Sequence, residues 1–240
     1  MQMSRSLSIV VPVFNESGNI EPLAREMEAA FCVTSWDWEL VYVDDASTDD
    51  TWQKILELKR THPRVRALRH RRNAGQSAAL WTGIQSSDSE YITTLDGDLQ
   101  NDPADLPMLL EALTEVDFAC GVRAKRKDSW IRRTSSKVAR AARRSALGVD
   151  FADTGCAARA FRRKTLRGIF AFNGLHRFLP VLVHGGGFTT RELPINHRPR
   201  VSGVSKYGVW NRLGRGIFDL IAVAWYQRRR LDRVEADEAP

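Results

Sequence analysis

Residues 7–122 predict an α/β fold: a mostly parallel sheet with helices on both faces. Three observations carry that prediction. Apolar, β-branched runs alternate with segments of helical spacing. The first run, at 7–13, is continuously apolar apart from Ser8, as a strand buried on both faces requires. Acidic groups recur where these runs end, at Asn15-Glu16, Asp44-Asp45 and Asp96-Gly97-Asp98.

The elements follow in order. Pro12 marks the end of the first strand, and 16–31 places Ile20, Leu23, Met27 and Phe31 at helical spacing. A second strand is expected at 38–43. A helix over 51–59 has Trp52, Ile55, Leu56 and Leu58 as its apolar side. A short strand at 65–68, a helix at 77–84 and a strand at 91–95 complete the pattern. Pro103 opens a helix through 113, at the first-turn position where a missing N–H costs nothing. A strand follows at 118–122.

The second half differs. Positions 123–144 hold ten Lys or Arg against one acid, Asp128, with Trp130, Ile131 and Val138 interspersed. Such one-sided charge is poor design for a merely solvated helix face and fits an anionic membrane surface, while sparse aromatic interleaving counts against a nucleic-acid patch. A strand is expected at 188–193, with Gly185, Gly186 and Gly187 as the turn before it. An amphipathic helix at 211–231 ends in Arg228, Arg229 and Arg230, and its stretch 217–226 reads as a packing or surface helix. The acidic tail 232–240 lacks apolar periodicity and is expected to fray. The organisation is therefore one catalytic domain over 1–210, with 123–147 as a basic interface segment, then a helix and a disordered tail.

The 240 residues suffice for one sizeable core, and 36 Lys and Arg against 29 Asp and Glu give a net charge of +7. That balance favours anionic partners. Cys32, Cys120 and Cys156 are too widely spaced for a disulfide framework or a metal set. No leader-like segment and no run long enough to span a bilayer is visible, so a peripheral, cytoplasmic placement is expected. Nothing among His62, His70, His176, His184 and His197 suggests a Ser-His-Asp set.

Asp96-Gly97-Asp98 is the most informative motif. Two carboxylates just past a buried strand clamp a hard cation such as Mg²⁺ or Mn²⁺, and the glycine admits a ligand to the backbone. The positions of the acidic clusters agree, since ligands of parallel sheets bind beyond the carboxyl ends of the strands.

An ordered set of segments carries a resemblance. These are Val11-Pro12-Val13-Phe14-Asn15-Glu16; Val43-Asp44-Asp45-Ala46-Ser47-Thr48-Asp49; Asn73-Ala74-Gly75-Gln76 with Gly83; Leu95-Asp96-Gly97-Asp98-Leu99-Gln100 with Asp102-Pro103; Gly121-Val122-Arg123; and Arg200-Val201-Ser202-Gly203-Val204-Ser205-Lys206-Tyr207. The chain resembles the family 2 glycosyltransferases of GT-A fold, in the branch typified by dolichol-phosphate mannose synthase and bacterial polyprenyl-phosphate glycosyltransferases. The resemblance implies a hexosyltransferase that moves a sugar from a UDP- or GDP-linked donor to a polyprenyl phosphate, undecaprenyl or dolichyl, on the cytosolic membrane face. It implies Pro12, Phe14, Glu16, Val43, Asp45, Asp96, Gly97, Arg200 and Lys206 as the nucleotide-sugar pocket. Asp96, Asp98 and Gln100 are the implied metal ligands. Arg123, Ser136 and Lys137 are implied at the acceptor phosphate, and Asp96, Asp98, Arg123 and Arg200 as the catalytic set. Phe14, Ala46 and Lys137 depart from the family's usual Tyr, Gly and Arg.

The alternatives are a glycosyltransferase with a soluble or protein acceptor, and a non-catalytic module that binds nucleotide sugar or nucleic acid. Under the main reading nucleic acid is not a partner, and an integral-membrane protein that moves or uses the product is. Asp153 either closes the substrate pocket or caps the next turn. His176 and Arg177 either touch the acceptor or hold the structure. Cys156 reads as a small buried residue.

Overall fold

A computed structural model of the chain describes residues 5–123, 141, 144–199 and 216–230, together with the backbone of 209–215. Ser136, Lys137, Arg200, Lys206, most of the basic stretch with Trp130 and Ile131, and the tail 232–240 lie outside the described residues.

The strands are β1 (Arg5–Val13), β2 (Trp36–Asp44), β3 (Val65–Arg69), β4 (Tyr91–Thr94), β5 (Phe118–Arg123), β6 (Arg159–Arg162) and β7 (Thr190–Ile195). They form one sheet in the order β3-β2-β1-β4-β6-β5-β7. Pairings β1–β2, β1–β4, β2–β3 and β5–β7 are parallel, and only β6 runs antiparallel, between β4 and β5. The helices are α1 (Ile20–Phe31), α2 (Thr51–Thr61), α3 (Gln76–Gln85), α4 (Leu106–Glu111), α5 (Leu175–Gly185) and α6 (Val209–Arg229).

Side-chain alternation in β1 explains the layering. Leu7, Ile9, Val11 and Val13 enter a core with residues of α1, α2 and α4, whereas Val10 enters the opposite core with α3, α5 and Val223 of α6. Both faces of the sheet are thus covered, as the continuous apolar run of β1 requires. Gly83 brings α3 close: a Cβ there would stand 2.4 Å from Val10 Cγ1 and 2.9 Å from Val43 Cγ2.

Most expected elements appear with their ends shifted by one to three residues. The helix opened by Pro103 is broken into a 3-10 turn (Pro103–Asp105), α4 and a second 3-10 turn (Ala112–Thr114). Gly185 ends α5, and Gly187 takes a positive φ before β7, so the three glycines form the expected turn. Two elements had no counterpart in the sequence reading. β6 spans four residues with arginines at both ends, which hides its apolar middle. α5 contains Pro180, ordinarily a sign that a helix has stopped.

The sheet places its acidic loops together. β2, β1 and β4 are adjacent and parallel, so Asp44-Asp45, Asn15-Glu16 and Asp96–Asp98 share one edge. Connections leave β1 toward β2 on one side and β4 lies on the other, which makes this edge the switch point of the sheet.

Each of the three loops has one non-glycine residue at positive φ: Asn15 at 56°, Ala46 at 60° and Leu99 at 59°. Asn15 suits the conformation, and its side chain bridges to the next loop by accepting from Thr48 N at 2.8 Å. Ala46 has no such compensation. The left-handed backbone costs an alanine ~1–2 kcal/mol, against which glycine loses ~0.4–1 kcal/mol through its freer unfolded chain. Ala46→Gly is therefore expected to stabilise the protein by about 0.5–1 kcal/mol, a rise in Tm of about 2 °C. A lower Tm in a thermal melt would show that the Ala46 methyl contributes packing that outweighs the strain.

Candidate active site

Asp96 and Asp98 follow β4 directly. Gly97 between them is buried, and a Cβ there would stand 2.5 Å from Val13 Cγ1. The missing side chain lets the β4 exit pack closely against β1. Asp98 Oδ1 accepts from Gln100 N at 3.2 Å, a local turn that orients the second carboxylate. Asp96 Oδ1 accepts from Gln76 Nε2 at 2.7 Å, at the first residue of α3.

Burial, and then the neighbouring Asp98, push the Asp96 carboxyl up to about 6, against the opposing charges of Arg159 and Arg123. Two carboxylates that resist joint ionisation fit a site completed by a cation. Among the described residues no third His, Cys, Asp or Glu converges to make a protein-only metal cage. A pair of carboxylates is what Mg²⁺ needs when phosphate oxygens and water supply the remaining ligands. Gln100, the expected further ligand, lies beside the pair. Its backbone carbonyl accepts from Arg198 N at 2.7 Å, and its Nε2 donates to Arg198 O at 3.5 Å.

The nucleotide-pocket candidates divide. Pro12 lines the cavity beside Asp96, and Phe14 follows β1 half-buried. Glu16 Oε2 accepts from Asn19 Nδ2 at 2.6 Å, and Glu16 N donates to Thr51 Oγ1 at 2.8 Å. Val43 is fully buried in the core against α3. The Asp45 carboxylate organises the next loop: it accepts from Ala74 N at 2.8 Å, Gly75 N at 2.7 Å and His70 Nδ1 at 2.7 Å. His70 Nε2 meets Thr82 Oγ1 at 2.9 Å, which fixes the ring.

Arg123, expected at phosphate, holds Asp153 bidentately, with Nε and Nη2 at 2.6 and 2.7 Å from its two oxygens. Asp153 also accepts from Gly155 N at 3.2 Å, so it caps a turn and serves as the counter-ion of Arg123. Cys156 is buried, as expected of a small core residue.

The sequence reading missed Arg159, the first residue of β6. It is 2% exposed, and its Nη2 donates to Thr154 O at 3.1 Å and His176 O at 2.6 Å. The second bond has a local cause. Pro180 has no N–H, so the carbonyl four residues earlier, that of His176, has no helical donor, and Arg159 supplies one. The signal was present as a proline inside an apolar helical pattern, which leaves a carbonyl to be satisfied from elsewhere.

A pH dependence follows from Asp96. Its folded pKa lies above that of the unfolded chain, so the folded state binds the extra proton between about pH 4 and 6. Without divalent cation, stability should fall as pH rises through that window and stay lower above it. At pH 7.5 Asp96→Asn should raise the Tm of the metal-free protein, and Mn²⁺ should raise the Tm of the parent but not of the variant. Identical melts for parent and variant, with and without Mn²⁺, would remove the charge conflict from the site.

Comparison with known proteins agrees with this geometry. The family model described as glycosyl transferase family 2 matches residues 8–170. The chain is 37% identical over 231 residues to a dodecaprenyl-phosphate galacturonate synthase of Rhizobium johnstonii, covering 94% of this chain and 68% of that protein. It is 38% identical over 218 residues to an undecaprenyl-phosphate 4-deoxy-4-formamido-L-arabinose transferase of Pseudomonas fluorescens, covering 90% and 64%. The chain thus spans about two thirds of the length of these curated relatives. Among solved structures, a mannosyltransferase of Pyrobaculum calidifontis in complex with GDP-Man and Mn²⁺ superposes with a TM-score of 0.67 at 21% identity, covering all of this chain and 67% of the other. A glucosyl-3-phosphoglycerate synthase of Mycobacterium tuberculosis in complex with Mn²⁺, UDP and phosphoglyceric acid gives 0.68 at 18% identity, covering 95% and 80%. These likenesses give the mixed, mostly parallel sheet its GT-A-like type. The family match runs from β1 past β6 and takes in every strand-end loop described above, so the chain belongs to glycosyl transferase family 2.

Proposed function

We propose that the chain transfers a sugar from a nucleotide sugar to a polyprenyl phosphate at the cytosolic membrane surface. The observation that carries this reading is the Asp96–Asp98 pair at the end of β4, on the switch-point edge of the sheet. The names of the relatives support the lipid acceptor: both are transferases or synthases of polyprenyl-phosphate sugars.

In this reading Asp96 and Asp98, with Gln100, hold Mg²⁺ or Mn²⁺, whose charge would stabilise the departing diphosphate. The structures bearing Mn²⁺ support the metal. Asp45 keeps the loop 73–75 against β2, which shapes the base side of the pocket. Arg123, Ser136 and Lys137 take the acceptor phosphate, and Arg200 and Lys206 the donor. A phosphate monoester has its second pKa near ~6, so the acceptor arrives ionised and needs little help from a general base. One in-line displacement inverts the anomeric centre.

Helix α6 supports the membrane surface. Val223 packs into the core, and Leu220, Ala224 and Tyr226 pack beside it. Ile217, Phe218, Ile221 and Trp225 stand 53–74% exposed, and at 100° per residue they fall with Arg228 within an arc of about 100° on the helix. A bulky apolar stripe edged by arginines fits the headgroup boundary of an anionic bilayer. No described helix is long and apolar enough to cross a membrane.

Purified protein with Mg²⁺ or Mn²⁺, UDP- and GDP-sugars and short polyprenyl phosphates should yield a glycosylated lipid phosphate by mass spectrometry. Asp98→Asn should abolish product while preserving the Tm to within about 2 °C. Full turnover after exhaustive chelation would refute the metal role, and absence of product with every donor would refute the acceptor.

Joint replacement of Phe218, Ile221 and Trp225 by Ser removes apolar groups worth ~1.5 kcal/mol or more each when buried. Affinity for phosphatidylglycerol vesicles in a sedimentation assay should then fall on the order of 100-fold, with little change in Tm. Unchanged vesicle binding would take α6 out of the membrane contact.

A further inference from the structure

The cavity beside Asp96 contains a group that the roles above leave unused. It is lined by Pro12, Gln76, Leu95, Asp96, Arg159 and His176, among others. His176 is the second residue of α5, and its ring reaches α3: Nδ1 lies 2.6 Å from Ser77 Oγ.

The hydrogen bonds around Ser77 favour one tautomer of the ring. Ser77 Oγ accepts from Gly174 N at 3.0 Å and from His176 N at 3.5 Å. Those two bonds use both lone pairs of the hydroxyl. With the hydroxyl oxygen facing these two N–H groups, we infer that its proton points at His176 Nδ1, which then acts as the acceptor. The ring proton is then on Nε2, which makes no hydrogen bond among the described residues. A second proton on the ring would face a hydroxyl with no lone pair to offer. Burial, and then the positive charges of Arg177 and Arg159, agree by holding the imidazole pKa down at about 3. His176 is thus a neutral, oriented N–H donor across physiological pH.

The cavity presents a particular set of polar groups. Gln76 spends its amide N–H on Asp96 Oδ1, which leaves its carbonyl oxygen as an acceptor. His176 contributes Nε2–H as a donor. Asp96 stands at the position assigned to the diphosphate, so the next group along the donor substrate is its sugar. We propose that His176 is a specificity-determining residue that donates from Nε2 to an oxygen of the transferred sugar, with Ser77 setting the tautomer. The inference rests on the nucleotide-sugar reading given above.

Binding separates the two ideas without requiring turnover. UDP-glucose, UDP-galacturonate and GDP-mannose, each beside bare UDP or GDP with Mn²⁺, are titrated calorimetrically into the parent, His176→Phe, His176→Gln and Ser77→Ala proteins. For whichever nucleotide sugar binds the parent most tightly, His176→Phe should weaken binding about tenfold, as loss of one buried hydrogen bond implies. Its affinity for the bare nucleoside diphosphate should stay within about twofold. His176→Gln, whose amide N–H reaches a similar position, should restore most of the loss. Ser77→Ala should weaken the nucleotide sugar selectively as well, by releasing the tautomer.

Nitrogen-15 NMR of the parent should show a neutral Nε2–H imidazole between pH 6 and 8. Its resonance should move on addition of nucleotide sugar and not of bare diphosphate. Equal losses for nucleotide sugar and bare diphosphate would overturn the proposal, as would an unaffected His176→Phe variant or an Nδ1–H tautomer. So would a loss confined to the KM for polyprenyl phosphate, since that places His176 on the acceptor. If bare UDP and GDP also fail to bind the parent, the nucleotide-sugar reading itself falls. Tight diphosphate binding with no preference for any nucleotide sugar overturns the His176 contact alone.

Discussion

The buried guanidinium of Arg159 is the constraint around which the site is assembled. It ties three pieces of chain that meet only in the folded state: the first residue of β6, the turn at Thr154 and the first turn of α5. An arginine with 2% exposure is costly unless its donors and charge are met. Here a carbonyl freed by Pro180 takes one donor, and the carboxylate of Asp96 lies within reach of its field. The same bond fixes the backbone of His176, whose ring lines the cavity. A charge that would weaken an ordinary core thus becomes the reason that the cavity wall has one arrangement.

Strain and charge concentrate at one edge of the sheet for a common reason. Parallel neighbours β2, β1 and β4 must all turn away at their carboxyl ends, and each turn uses a residue at positive φ. The turns hold their carboxylates with backbone donors: Asp45 with Ala74 and Gly75, Asp98 with Gln100. Asp96 receives a side-chain donor from Gln76, yet burial and Asp98 keep its ionisation unfavourable. Such an edge is poor for stability and suited to a cationic, phosphate-bearing ligand.

Helix α6 has two apolar sides. One joins the core through Val223, and Tyr226 donates to Gly168 O, which anchors the helix. The other leaves Phe218, Ile221 and Trp225 in solvent, where a monomer in water gains nothing from them. The packing of one side makes the other a fixed, presented surface rather than a loose amphipathic tail.

Sequence alone determined the class of the fold and the sheet edge at which its acidic loops gather. Short, β-branched apolar runs alternating with segments of helical spacing read as strands buried on both faces, and carboxylates that follow them fall at the sheet edge. The Asp96–Asp98 pair was therefore legible before any coordinates. Tertiary structure decided what depends on contacts distant in sequence. β6 was illegible because its arginines read as surface, although Arg159 is buried by partners 5 and 17 residues away. α5 was illegible because the carbonyl orphaned by Pro180 is satisfied from another strand. The close packing of Gly97 on Val13 of β1 was likewise set only by the fold. His176 was an undecided residue until Ser77, 99 positions earlier, met its ring in the folded chain. Periodicity records which face of an element is buried, whereas the partner that satisfies a polar group is chosen only when the chain closes on itself.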